Sequence, residues 1–192
     1  AARVRVTIEP GSTPEIIGKL LQEKGVIRDA TVFMLYTKEK GVQGKLQAGT
    51  FNLKPSDSLT VIVDHLVAGK TDEFSITFLP GANSMDHRKV LINAGYSEAE
   101  VDAALKKTYN HPIFASKPAG TDLEGYIFGE TYQFTADATV EDILIRTFDE
   151  LEKQVKQYDL VAQYEKKGLS LYQGITLASI VQREVADVAD SK

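Results

Sequence analysis

Cysteine is absent from the 192 residues. That excludes disulfides, thiolate metal sites and a cysteine nucleophile. The three histidines, His65, His87 and His111, lie far apart and form no i, i+4 pair, so no zinc site and no other metal centre is expected. No run approaches the roughly 18 apolar residues needed to cross a bilayer, and no secretory leader opens the chain. Walker loops, GxGxxG and a Ser-His-Asp order are missing. The Pro-Gly and Gly-Ala-Asn turns hold too little glycine to cradle a phosphate. No Schiff-base lysine with a phosphate cup is visible, so no pyridoxal chemistry and no other cofactor is expected. The net charge of −5 and the scattered Lys and Arg residues give no nucleic-acid groove.

What remains is an ordinary globular composition, 43% hydrophobic and 26% charged. Its length suits one large domain or two small ones. Residues 3–9, RVRVTIE, alternate as a half-buried strand does and end at Pro10-Gly11. Ser12 with Glu15 reads as a capping box for a helix that buries Ile16, Ile17, Leu20 and Leu21 and stops at Gly25. A second helix is predicted over 29–40, a strand over 48–53, and a third helix from Asp57 or Ser58 to Leu66, ended by Gly69. The order β-α-α-β-α makes a module of a size that folds alone.

The next segment repeats the opening. VTIEPG at 6–11 is matched by ITFLPG at 76–81, and Gly25-Val26 by Gly95-Tyr96, each 70 residues on. Ser97 with Glu100 predicts a second capping box and a helix to about Tyr109. Gly49-Thr50-Phe51 has a loose counterpart in Gly125-Tyr126-Ile127-Phe128, and the helix from 57 one in a helix over 139–156. Two readings stand: an internal duplication, or a strand-PG-helix junction that has simply occurred twice. Further helices are predicted over 158–167 and, capped by Ser170, to the end of the chain. The abrupt start at Ala1-Ala2 and the stop soon after Glu184 read as cuts in something longer.

Residues 110–122 have two prolines and no periodicity, and read as a long loop. DLEGYIFGETYQF at 122–134 is dense in aromatic rings and carries Glu124 and Glu130. Rings stack on pyranose faces and carboxylates accept hydroxyl hydrogen bonds, which suits sugar binding; a strand with an aromatic core face is the other reading. Glu184 falls in LASIVQRE, in register with Leu177, Ile180, Val181, Val185 and Val188. That stripe predicts a helix face turned to the core or to a cleft. Desolvation there raises a carboxyl pKa, as a general acid needs; a structural glutamate paired with Arg or Lys is the alternative.

Three segments together resemble the YceG-like endolytic murein transglycosylases. They are the opening VTIEPGSTPEIIGKLLQEKGVI with AGTFNL, then LEGYIFGETY at 123–132, then LASIVQRE at 177–184. The resemblance implies an α+β chain: a LysM-like β-α-α-β module over 3–70, then a mixed α/β, helix-rich catalytic domain over 71–192 that is incomplete. It implies Glu184 as the catalytic residue and Glu124, Tyr126 and Tyr132 as substrate-binding positions. It implies peptidoglycan strands as substrate, peptidoglycan synthases as partners, and an extracytoplasmic enzyme anchored by a single N-terminal helix not in this chain. Gly129-Glu130 departs from the family's usual Pro-Asp, and the Leu79–Asn83 turn departs from its PEG-type turn. A non-catalytic peptidoglycan-binding or scaffold module is the competing reading.

Overall fold

The computed structural model describes residues 3–69 and 72–190, with side chains described as far as Val181. Among the described residues it is an α+β chain of four short strands and eight α-helices. Contacts divide it into two compact units. The first takes residues up to 75 with 93–96 and 133–138; the second takes 76–92, 97–132 and 139 onward.

The first unit opens with β1 (Val4–Ile8), which pairs antiparallel with β2 (Gly49–Leu53), Val4 opposite Leu53 and Ile8 opposite Gly49. Between them run α1 (Pro14–Glu23) and α2 (Ala30–Glu39), and α3 (Leu59–Ala68) follows. Alternation in β1 turns Val6 and Ile8 inward onto Ile17, Leu21, Phe33, Phe51, Ile62 and Leu66, all within 2% of full burial. Caps fix the helix starts. Asp29 accepts from the N–H groups of Thr31 and Val32, and Ser58 accepts from Val61. The α1 cap is one residue later than predicted: Thr13 accepts from Ile16, with Pro14 at the first helical position. Glu15 pairs instead with Lys19 at 2.9 Å.

The element order then recurs. β3 (Glu73–Thr77) pairs with β4 (Thr131–Thr135), with α4 (Ser84–Asn93) and α5 (Glu98–Lys106) between them and α6 (Val140–Gln157) after. The match is closer than the element list. A Thr7–Thr50 hydroxyl bond of 3.1 Å joins β1 to β2, and a Thr77–Thr131 bond of 2.9 Å joins β3 to β4. Ser58 caps α3 as Thr139 caps α6. The buried trio Ile62, Val63 and Leu66 recurs as Ile143, Leu144 and Thr147. This supports duplication over coincidence, and it corrects one pairing: the counterpart of Thr50-Phe51 is Thr131-Tyr132 in β4, not Gly125–Phe128. The offset is 70 before the second strand and 81 at it and after. The connection lengthens from residues 40–48 to residues 107–130, and the LEGYIFGE stretch lies in that longer connection. Only Thr131–Thr135 is strand; 124–126 is a turn, 127 a bend, and 128–129 irregular.

Two further helices close the second unit, α7 (Leu160–Glu165) and α8 (Leu171–Asp190). Ser170 and Gln173 cap α8 reciprocally, as the sequence predicted for Ser170. Along its described part the apolar stripe of α8 is not buried. Leu177, Ile180 and Val181 are 51–55% exposed. The predicted inward face is therefore open along its described part, because the side of α8 that packs is the one carrying Ile175 and Ser179. The side chain of Glu184 lies outside the described residues. No described helix is long and apolar enough to cross a membrane.

Candidate functional site

The long connection of the second unit is pinned at several points. Asp122 accepts from the Glu124 N–H at 3.0 Å. The Glu124 carboxylate then reaches the start of α4, where it accepts from the Ser84 N–H at 2.8 Å and from the Ser84 hydroxyl. A carboxylate at that end satisfies an orphan donor and meets the positive end of the helix dipole. Tyr126 is fully buried, its ring 4.9 Å from that of Phe114, which packs in turn on Phe148 at 4.9 Å. Burial pushes the Tyr126 phenol up to about 12. Tyr132 is 5% exposed and donates its hydroxyl to the Phe128 carbonyl at 3.0 Å, clasping the last turn.

These contacts leave a cavity of about 340 Å³. One wall is the Pro80–Ala82 turn with His87 of α4. Another is Glu124, Gly125 and Ile127–Gly129, and the rest comes from α6, α7 and α8, including Tyr164, Ile175, Ala178 and Ser179. Its size is at the small end of ligand sites. Of the predicted substrate-binding residues, Glu124 borders the cavity. Tyr126 and Tyr132 do not; they hold the loop from beneath. Glu184 falls outside the described side chains, on the helix that supplies one cavity wall.

Two glycines set how closely the walls approach. Gly125 has φ +81°, and a Cβ there would sit 2.7 Å from the Ile175 methyl and 3.3 Å from the Ser179 hydroxyl. A Cβ on Gly129 would sit 2.6 Å from the Pro80 nitrogen. Gly129 thus rests directly against the turn that follows β3.

Sequence reasoning missed His87. Its ring is 4% exposed, edge-on to Phe78 at 5.4 Å, and its Nε2 is buried with no hydrogen-bond partner among the described residues. Burial lowers its pKa against the opposing pull of Glu124 and then Asp86. The signal available was the duplication: position 87 is the counterpart of Ile17, an apolar core residue.

His111, Asp149 and Glu152 also cluster, with ligand atoms within 4.8 Å of one another. The His111 Nδ1 accepts from the Ile113 N–H at 3.2 Å, so Nε2 carries the proton and donates to Asp149 at 3.1 Å. With both ring nitrogens engaged, the cluster is a hydrogen-bond node that secures the short 3-10 turn Pro112–Phe114 to α6.

Fold and cavity together describe a duplicated α+β scaffold whose second copy carries an enlarged, glycine-bearing loop. The chain belongs to the YceG-like family, whose profile matches residues 6–192. An endolytic murein transglycosylase of Bacillus subtilis is 30% identical over 97% of this chain and 55% of its own length. One from Streptococcus pneumoniae is 25% identical over 98% of this chain and 38% of its own. The chain thus spans about half or less of the length of these relatives. The crystal structure of a yceG-like protein from Listeria monocytogenes shares the fold. It has TM-score 0.51 and 22% identity, and the match covers 95% of this chain and 64% of that one.

Proposed function

We propose that this chain is part of an endolytic lytic transglycosylase of peptidoglycan, with Glu184 as its acid and base. The observation that supports this most is the family match over residues 6–192, whose relatives bear that activity in their names. The reaction breaks the β-1,4 bond between N-acetylmuramic acid and N-acetylglucosamine without adding water. One carboxyl group protonates the leaving oxygen. The carboxylate it becomes then takes the proton from the muramoyl C6 hydroxyl, which closes on C1 as a 1,6-anhydro ring. A single residue serves both steps, so no second carboxylate at the roughly 5–9 Å spacing of hydrolases is needed. In this reading Glu124 contacts the glycan from the cavity wall, while Tyr126 and Tyr132 act by holding the loop. The first unit is LysM-like, and the full protein works outside the cytoplasm beside peptidoglycan synthases, anchored by a helix beyond this chain.

The test is mass spectrometry of peptidoglycan digested with the full-length protein and with Glu184→Gln. Ends in 1,6-anhydro-muramic acid, lost in the variant, are expected. Reducing ends would mean hydrolysis. Equal turnover by the variant would remove Glu184 from the chemistry.

A second reading, a glycan-binding or scaffold module, draws on the first unit. A cavity of about 420 Å³ there is lined by Val26–Asp29, Val32 and Pro55–Asp57, with Val32 half exposed in its wall. Digestion by neither protein, with retention on insoluble peptidoglycan by the folded chain, would favour it.

A further inference from the structure

The duplicated plan provides a reference for each position of the second copy. Position 17 is isoleucine, 1% exposed in an apolar core. Its counterpart is His87, equally enclosed, so the fold itself does not require a polar group there. A buried ring nitrogen left without a partner costs on the order of 1–3 kcal/mol. The Nε2 of His87 is such an atom, and the residue borders the cavity.

The rest of the wall indicates what would complete it. Ile127, Ile175 and Ala178 present apolar surface. Ser179 donates its hydroxyl to the Ile175 carbonyl at 3.0 Å, which leaves its oxygen able to accept. The Glu124 carboxylate on the same wall opposes an anionic group. A small, neutral guest with a methyl on one side and an amide on the other matches all of these features.

We propose that His87 is the hydrogen-bonding anchor of this cavity and that it receives the acetamido group of an amino sugar. The inference rests on the glycan-cleaving reading above and gives it a recognition element. A turn of the ring about Cβ–Cγ presents Nε2 to the guest. The neutral ring then donates to the acetamido carbonyl or accepts from its N–H, and the methyl packs on the isoleucines. Fully N-acetylated glycan is selected over its de-N-acetylated form.

The test titrates the folded chain at pH 7 with the N-acetylglucosamine tetramer and with the de-N-acetylated tetramer, following the His87 ring nitrogens by NMR. His87→Ile installs the residue that the first copy carries; His87→Gln retains a hydrogen-bonding amide. The expected result is a His87 nitrogen shift with the acetylated tetramer only. Weakening should be about tenfold in His87→Ile, the size of one hydrogen bond, and within about threefold in His87→Gln. Should His87→Ile not fold, the wild-type nitrogen shift and His87→Gln still decide. No binding, equal affinity for both tetramers, or an unmoved His87 signal overturns the inference. The peptidoglycan digest is read separately. Anhydro products without any His87 effect would sink this inference alone. A His87-dependent acetamido preference without anhydro products would keep the inference and sink the proposed reaction.

Discussion

Replacing Gly125 with alanine tests whether α8 is seated on the loop as described. Two costs are expected. The backbone at φ +81° is left-handed, which costs a residue with a Cβ about 1–2 kcal/mol. The new methyl would then meet Ile175 at 2.7 Å and Ser179 at 3.3 Å, an overpacking that costs about 1–3 kcal/mol. Together Gly125→Ala should destabilise by roughly 2–5 kcal/mol. The two parts separate in a cycle with Ile175→Ala. Removing the Ile175 side chain relieves the clash and leaves the backbone strain. In that background Gly125→Ala should therefore cost only about 1–2 kcal/mol. Urea unfolding followed by circular dichroism and tyrosine fluorescence gives each value from midpoint and slope. The same cost in both backgrounds would show that Gly125 and Ile175 do not touch. A cost below about 0.5 kcal/mol in the wild type would refute the left-handed loop as well.

Phe148→Ala removes the ring at the centre of the aromatic cluster with Tyr109, His111 and Phe114 and should cost about 3–5 kcal/mol by the same assay. Thr139→Ala removes one half of the α6 capping box and should cost about 1 kcal/mol at neutral pH. The Thr139 hydroxyl, and then its N–H, hold the Asp142 carboxyl below its usual range. That stability is present above the unfolded carboxylate pKa and is lost as pH falls through the lowered folded value, so the gap between wild type and Thr139→Ala should narrow in acid to what the Asp142 N–H to Thr139 hydroxyl bond contributes. For His87 the folded pKa lies below 6.5, so the unfolded chain binds the extra proton first. Its contribution is whole above pH 6.5 and declines as pH falls through the folded value. Chemical unfolding at a series of pH values from 7.5 down to 5 should show wild type losing more stability than His87→Ile; parallel profiles would show that the ring is not buried neutral.

Much of this was legible in the residues. Pro10-Gly11 and Pro80-Gly81 announced the repeat. Ser97, Glu100, Gly69 and Ser170 marked helix ends where the structure has them. These signals are local, written in a few neighbouring residues. Position within the fold was less legible. Aromatic residues beside carboxylates suit a sugar cleft and a core equally well, and only the tertiary packing turns Tyr126 inward while Glu124 reaches the cavity. The α8 stripe has the right period for burial, yet period cannot say which neighbour covers a helix face, and Leu177, Ile180 and Val181 stand half exposed. His87 was invisible as a lone histidine; it became conspicuous once its counterpart proved to be a core isoleucine.

The meeting of Gly129 with Pro80 bears on how such loops can be exchanged. A Cβ at 129 would collide with backbone, which no change of rotamer can relieve. The turn after β3 and the loop before β4 therefore travel as one cassette, though some fifty residues of chain separate them. Placing Pro-Asp at positions 129 and 130 alone would wedge the two apart. Moving both segments together would carry the fit along with them.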